Sequence, residues 1–118
     1  MTRKAVRLKR EDWAVEEDEW VGRFEGTKIG TDVTVLFFSS ETVGSGPPLH
    51  FHPYDEVFIV RQGRARYTIG DETIDAEAGE ILLAPAGAPH KFENLGPGRL
   101  ETTDIHLSAR FIQTDLED

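Results

Sequence analysis

From residue 29 onward, apolar and polar positions form short runs that are typical of β-strands. The runs are rich in Val, Ile, Phe, Thr and Tyr and are separated by Gly, Pro and Asp. They predict strands near residues 31–38, 48–52, 55–62, 64–70, 72–76, 80–84, 89–94 and 99–108. No stretch beyond residue 30 repeats its apolar positions with a helical period. Many short antiparallel strands in one small domain predict an all-β fold, either a barrel or a two-sheet jelly roll.

The alternation within two of these runs predicts which faces are buried. In the run 64–70, apolar and polar residues alternate, which predicts one face in solvent and one face, with Tyr67, in the core. In the run 55–62, apolar residues occupy both faces, since Val57 and Ile59 lie opposite the other apolar positions. That strand is therefore expected to be buried on both sides.

The first 30 residues differ from the rest of the chain. They are rich in charge but contain Trp13 and Trp20, and a disordered tail rarely carries two tryptophans. We expect residues 1–30 to form an arm that docks on the barrel or on a second subunit. Residues 31–110 are expected to form the β-barrel of this single domain, and residues 111–118 an acidic tail.

The N-terminal arm also suggests an assembly. Small antiparallel barrels leave a sheet edge that must be covered. An arm that covers the edge of a second copy by strand exchange would give a two-fold homodimer. We therefore expect a homodimer that forms through the arm and the sheet edge.

Composition excludes several classes of function. With 13 basic and 22 acidic residues among 118, the formal charge is 13 − 22 = −9, which disfavours a nucleic-acid partner. The absence of cysteine excludes disulfides, thiolate metal sites and thiol nucleophiles. Apolar runs such as 81–86 are too short for a membrane span, and the basic N-terminus is not followed by the hydrophobic region of a signal peptide. We expect a cytoplasmic protein with a small-molecule partner.

The histidines carry the strongest chemical signal. His50 and His52 are separated by one residue, so on a strand both imidazoles share a face about 7 Å apart, within reach of one ion. Glu56 follows on a strand whose face it shares with apolar residues, where a buried carboxylate is costly unless a cation neutralises it. His90 follows a loop rich in Pro and Gly. A metal site explains this combination.

Two patterns of spaced residues contain these four side chains. They are Gly44-x5-His50-x-His52-x3-Glu56-x6-Gly63 and Gly79-x5-Pro85-x-Gly87-x2-His90-x3-Asn94. At every fixed position they resemble the two motifs of the cupin superfamily. The segment 64–78 separates the two motifs, a short spacing that is common in bacterial single-domain cupins.

The resemblance implies a jelly-roll β-barrel in which one divalent metal is bound by His50, His52, Glu56 and His90. Three imidazoles and one carboxylate suit Mn, Fe, Co, Ni, Cu or Zn better than Mg or Ca. Four protein ligands leave two octahedral positions for a chelating substrate, or for substrate and dioxygen. The ion would act as a Lewis acid and a template. The alternative is a barrel that has lost its metal and keeps these residues as hydrogen-bonded core.

Cupins similar to this chain include dioxygenases, decarboxylases, isomerases and cyclases. We expect a metal-dependent enzyme that binds a carboxylate, hydroxyketone or phenolic substrate, with a dioxygenase-like oxidoreductase as the first hypothesis. A metal-dependent isomerase, cyclase or decarboxylase is the alternative, and a non-catalytic metal-bound module that binds small molecules is another.

Two residues are candidates for proton transfer in such a reaction. They are Glu56, if it leaves the metal, and His106, which shares a strand face with Thr102 and Asp104. Whether His106 points inward is left open by the sequence. The candidate residues for the pocket wall are Phe37, Phe58, Tyr67, Phe92 and His106.

Overall fold

Two antiparallel five-stranded sheets make up the protein, with almost no helix. The computed structural model describes residues 3–117, so residues 1, 2 and 118, at the outer ends of the expected arm and tail, lie outside the described residues. Within residues 3–117, no helix combines the length and the apolar character needed to cross a membrane. The helical segments are α1 (Arg10–Trp13) and a single 3₁₀ turn (Gly26–Lys28).

The strands follow the order expected for a jelly roll. They are β1 (Gly22–Phe24), β2 (Thr34–Ser40), β3 (His50–Phe51), β4 (Glu56–Gln62), β5 (Arg64–Ile69), β6 (Glu72–Glu77), β7 (Ile81–Ala84), β8 (His90–Asn94), β9 (Leu100–His106) and β10 (Thr114–Asp115). The first sheet has the order β1-β2-β9-β4-β7, and the second has the order β10-β3-β8-β5-β6. Each of the strands predicted from the sequence has a counterpart here, so the all-β jelly-roll fold is confirmed.

The core lies between the two sheets and is filled by alternate residues of their strands. Phe58 of β4 and Tyr67 of β5 are almost fully buried, with ring centroids 4.9 Å apart. The outer face of β4 differs from the prediction, because Val57 and Ile59 are half-buried and not enclosed. The first sheet thus covers the core with one face and is partly exposed on the other.

The N-terminal arm packs on the outer face of the first sheet. Trp13 stacks on Phe37 of β2 at a centroid distance of 3.9 Å, and Trp20 meets the same ring edge-on at 5.1 Å. This corrects the prediction that Phe37 lines the pocket. Side chains alternate along a strand, and it is the neighbouring Phe38 that packs against the core.

The C-terminal residues, expected to form an acidic tail, contribute to the second sheet. Strand β10 pairs with β3, with Thr114 opposite Phe51. Beyond it, the Glu117 carboxylate accepts a hydrogen bond from the Leu49 N–H at 2.9 Å and another from Lys91 at 3.2 Å. These contacts attach the end of the described chain beside β3, the strand that carries His50.

Candidate metal centre

Three imidazoles and one carboxylate meet between the two sheets. His50 in β3 lies directly opposite His90 at the start of β8, and both belong to the second sheet. Glu56 opens β4 in the first sheet, and His52 lies in the connection between the two strands. All four side chains are buried, and each contributes one ligand atom to a group whose atoms lie within 4.8 Å of one another.

The loops around these residues place them through backbone hydrogen bonds. The Gly87 N–H donates to the carbonyl of His52 at 2.8 Å, which joins the loop before β8 to the segment after β3. Gly87 has φ +82°, a conformation that residues with a Cβ rarely adopt. The loop that delivers His90 is thus tied directly to the segment that carries His52.

The three histidines of this group present the same nitrogen to its centre. Their Nδ1 atoms lie 2.6, 2.7 and 2.9 Å from backbone carbonyls, those of Pro48 for His50, Ile112 for His52 and Ala88 for His90. A carbonyl oxygen only accepts hydrogen bonds, so each Nδ1 carries the proton. In the neutral ring the lone pair of Nε2 is then free, which is the arrangement found when histidine binds a metal through Nε2.

The contacts inside the group test whether a metal fits. Oε1 of Glu56 lies 3.0 Å from Nε2 of His52 and 3.0 Å from Nε2 of His90. When both rings are neutral, with the proton on Nδ1, these nitrogens and the carboxylate are all acceptors, and buried acceptors that face one another repel. Nε2 of His52 is also buried without an aligned hydrogen-bond partner in the described chain. A cation among these atoms satisfies all of them, so the donor set fits a divalent metal.

The protonation states also favour a metal ligand set. Burial alone would raise the pKa of Glu56, but the imidazoles of His106, His52 and His90, each within 3.2 Å of a carboxylate oxygen, outweigh burial and hold the pKa far below the ordinary value. Burial lowers the pKa of His50, and the neighbouring imidazoles of His90 and His52 lower it further, against the opposing effect of the Pro48 carbonyl. An ionised carboxylate and a neutral imidazole are the forms that bind metal.

The fourth histidine also faces the centre. His106, at the end of β9, is 1% exposed and lies opposite Glu56 in the sheet. Its Nε2 is 3.2 Å from Oε2 of Glu56, and its Nδ1 is 2.7 Å from the hydroxyl of Tyr54. The question left open by the sequence is answered in favour of the inward orientation, whereas the neighbouring Leu107 is exposed.

Tyr54 and the backbone of Ile112 are parts of the site that the sequence analysis missed. The Tyr54 ring is stacked on His52 at 5.0 Å, and burial raises the pKa of its hydroxyl, which therefore keeps its proton at neutral pH. A signal for Tyr54 was present, since it lies within the first histidine motif between His52 and Glu56. Ile112 acts through its main chain, so its residue type gives no signal.

Behind the centre, the barrel interior combines aromatic rings with two polar groups. Phe58, Tyr67 and Phe92 pack together there, and the Phe58 ring lies 5.6 Å from that of His90. The Tyr67 hydroxyl is buried without a hydrogen-bond partner in the described chain. Asp104, on the inward face of β9, accepts a hydrogen bond from Thr102 at 3.2 Å, and burial together with the charge of Glu56 raises its pKa.

Comparison with known proteins agrees with this architecture. The family described as "Cupin domain" matches residues 39–106, more than half of the chain and both histidine motifs. The chain belongs to the cupin family. With its buried group of three histidines and one glutamate, it is a metal-binding cupin with a site for a single divalent ion.

Individual relatives match over shorter stretches. An uncharacterised protein of Streptomyces coelicolor is 43% identical over 44 residues, 37% of this chain and 42% of its own length. An uncharacterised protein of Methanocaldococcus jannaschii is 34% identical over 55 residues, 46% of this chain and 44% of its own. The chain thus spans less than half of the length of these relatives.

Solved structures of a larger cupin share the fold. A structure of Bacillus subtilis oxalate decarboxylase, from work on its Mn(II) centres, has a TM-score of 0.76 and is 23% identical. The match covers 90% of this chain and 30% of the decarboxylase. A structure of the same decarboxylase at pH 4.6 has a TM-score of 0.73 at 23% identity, over 80% and 27% of the two chains. At this identity the likeness shows the fold alone.

Proposed function

We propose that this cupin is a metal-dependent enzyme that binds an oxygen-bearing small molecule at the centre formed by His50, His52, Glu56 and His90. The observation that carries the proposal is the common orientation of the three histidines, whose Nδ1 atoms all donate to backbone carbonyls. In the neutral rings, three Nε2 lone pairs and one ionised carboxylate are then available to bind one ion. The donors suit Mn, Fe, Co, Ni, Cu or Zn.

The chemistry supplied by such an ion is Lewis-acid activation of a chelating substrate and, for a redox-active ion, activation of dioxygen. The residues of the chain supply the surroundings for this chemistry. The buried rings of Phe58, Tyr67 and Phe92 form an apolar wall of the barrel interior beside His90. Asp104 lies on the inward face of β9 with a raised pKa, which favours the neutral acid, a form that can donate a hydrogen bond.

The first activity that we propose is that of a dioxygenase-like oxidoreductase acting on a carboxylate, hydroxyketone or phenolic substrate. Its support is the number of protein ligands, because four leave two positions of an octahedron open. Decarboxylation is the second candidate, and the fold shared with oxalate decarboxylase favours it. A binding module without catalysis is the third outcome that experiments must separate.

Metal content is the first test. The protein is purified without a histidine tag or added metal and measured by plasma mass spectrometry beside His52→Ala. We expect about one equivalent of a transition metal in the wild type and its loss in the variant, because His52 supplies one of four ligand atoms. Far-UV circular dichroism of the metal-free proteins shows whether the variant keeps its fold. A wild type that holds no metal and takes up none on dialysis contradicts the proposal.

Turnover assays then separate the activities. The metal-loaded protein is offered phenolic and hydroxyketone compounds in an oxygen electrode, and dicarboxylates such as oxalate with detection of carbon dioxide. Oxygen uptake that is absent from His52→Ala supports the dioxygenase. Carbon dioxide release without oxygen uptake supports the decarboxylase. Saturable binding of a compound without turnover identifies a binding module.

A further inference from the structure

We propose that Tyr54, His106 and the backbone of Ile112 form a hydrogen-bonded frame that fixes Glu56 to bind the metal through one oxygen only. Tyr54 and His106 are positioning residues in this frame. The inference rests on the proposed function to the extent that it assigns a metal to Glu56. The hydrogen-bond directions that it requires belong to the protein itself and can be measured without metal.

The four histidines fall into two kinds according to the partner of Nδ1. The three motif histidines have a backbone carbonyl there, which only accepts. His106 has the hydroxyl of Tyr54, which can donate. Nδ1 therefore carries a proton in His50, His52 and His90. In His106 the ring proton can be on Nε2 instead, because the Tyr54 hydroxyl can donate to Nδ1.

The second partner of the Tyr54 hydroxyl is compatible with a hydroxyl that donates its proton to His106. The Tyr54 oxygen already accepts a hydrogen bond from the Ile112 N–H at 3.2 Å. Its own proton is then available for Nδ1 of His106 at 2.7 Å. In this arrangement Nδ1 of His106 accepts the hydrogen bond, and the ring proton is on Nε2.

The contact of Nε2 on the other side of the His106 ring also favours a proton on Nε2. Nε2 lies 3.2 Å from Oε2 of Glu56, although its N–H direction is off the line that joins the two atoms. A lone pair on Nε2 would face a buried carboxylate oxygen, and two buried acceptors at this distance repel. An N–H on Nε2 turns the same contact into an attraction, so Glu56 favours this tautomer and the Tyr54 hydroxyl can complement it.

This tautomer divides the two oxygens of Glu56 between different partners. Oε1 faces His52 and His90 and lies on the side of the ligand nitrogens. Oε2 faces the N–H of His106. A carboxylate held in this way offers one oxygen to the ion, which keeps the remaining coordination positions open for substrate. His106 itself has no free lone pair on the nitrogen that faces the centre.

Ile112 connects this frame to the ligand set. Its N–H donates to Tyr54, and its carbonyl accepts from Nδ1 of His52 at 2.7 Å. The neighbouring Phe111 ring packs against His106 at 5.5 Å and against His52 at 6.0 Å. One short segment after β9 therefore orients a ligand histidine and, through Tyr54, the histidine that holds the ligand carboxylate.

The first experiment measures the tautomer in metal-free protein. Long-range ¹H–¹⁵N spectra of histidine-labelled wild type at pH 8 are expected to show His106 protonated on Nε2 and the three motif histidines protonated on Nδ1. In Tyr54→Phe the His106 signals are expected to move toward a mixture of tautomers, because Nδ1 has lost its donor. A wild-type His106 that carries its proton on Nδ1 overturns the proposal, whether or not the protein binds metal.

The second experiment measures Co²⁺ binding by competition with a chelator. Outer hydrogen-bond partners of metal ligands affect affinity by about 10- to 100-fold, so we expect Tyr54→Phe to weaken binding by about 10-fold. The visible spectrum of bound Co²⁺ is expected to change as well, because Glu56 gains freedom to bind through both oxygens. The matched control is Thr103→Val, which removes a hydroxyl on the outer face of the first sheet, where it accepts a hydrogen bond from Nε1 of Trp20. Its Co²⁺ affinity is expected to equal that of the wild type.

A pair of variants at His106 separates positioning from simple packing. His106→Gln keeps a side-chain N–H that can reach Glu56 and is expected to retain more Co²⁺ affinity than His106→Leu. Equal affinity of these two variants, or a wild-type affinity and spectrum in Tyr54→Phe, overturns the proposal. A wild type that binds no Co²⁺ overturns the proposed function, while the tautomer measurement still decides the hydrogen-bond frame.

Discussion

The two ends of the chain contact different parts of the barrel through different kinds of group. The N-terminal arm uses side chains: Trp13 and Trp20 pack on Phe37, and the guanidinium of Arg61 lies 3.7 Å from the centroid of Trp20. The C-terminal segment reaches the centre mainly through its main chain, with the N–H and carbonyl of Ile112.

The difference shows that the stability of the fold and the metal binding of the site can depend on opposite ends of one small domain. Contacts between large apolar rings stabilise the fold in proportion to the area that they bury. A backbone hydrogen bond to a ligand imidazole buries little area but determines which nitrogen can bind an ion. Changes at Trp13 or Trp20 should therefore affect stability, and changes that remove Ile112 should affect metal binding.

The largest effect is expected from a chain that ends at Arg110. It lacks Phe111, Ile112 and β10, so both His52 and Tyr54 lose a hydrogen-bond partner. We expect metal affinity, measured by chelator competition, to fall by about 100-fold, at the upper end of the range for outer partners of metal ligands. The matched control ends at Gln113, which keeps Ile112 but removes β10. Equal losses in the two chains would assign the effect to strand pairing and contradict the role of Ile112.

A smaller effect of a different kind is expected from Trp13→Ala. Replacing a buried tryptophan costs about 3–5 kcal/mol, and Trp13 is only half-buried, so we expect the free energy of unfolding to fall by about 1–3 kcal/mol. Urea unfolding of the metal-free protein measures this change. The dissociation constant for metal is expected to stay within about twofold of the wild type. A parallel loss of metal affinity would remove the distinction between the two ends.

The homodimer predicted from the arm stays a prediction, since the structure contains a single chain in which the arm packs on its own barrel. Deletion of residues 1–25 is expected to convert a wild-type dimer to monomers on a sizing column, because the arm would no longer cover a partner's sheet edge. A dimer that persists after the deletion contradicts this role, and a wild type that is already monomeric contradicts the dimer itself.

The smallest effect is expected at Glu117, which anchors the C-terminal segment from the surface. Its hydrogen bonds to the Leu49 N–H and to Lys91 hold its pKa below the ordinary value of 4.5. Because the folded pKa is lower than the unfolded one, the ionised anchor contributes above pH 4.5 and is lost as pH falls through the folded pKa. The Leu49 amide shift should titrate below pH 4.5 in the wild type and not in Glu117→Gln. A midpoint at or above 4.5 would contradict the anchor.

Much of the fold and all four proposed ligands could be predicted from residue types and spacing. Alternation within the runs indicates the inward face of β5, and the spacing of the two motifs identifies His50, His52, Glu56 and His90 as candidate ligands. The reason is that these signals are local. A strand face repeats every two residues, and the ligand spacing within each motif is fixed by one or two strands.

The rest depended on information that residue types do not carry. Phe37 and Phe38 are adjacent, so alternation places them on opposite faces without indicating which one is inward. Tyr54 follows Pro53, which interrupts the strand pattern, and its partner His106 lies 52 positions away. Ile112 acts through backbone atoms that every residue except proline possesses. These contacts are visible only once the chain has folded.

The hydrogen bond between His52 and Ile112 has a consequence for the biosynthesis of the protein. The carbonyls that orient His50 and His90 come from residues two positions earlier, so these rings are oriented as soon as their own loops form. His52 depends on a residue 60 positions later. During synthesis this contact can form only after the segment that follows β9 has packed on the barrel, so the tautomer of His52 is fixed after those of His50 and His90.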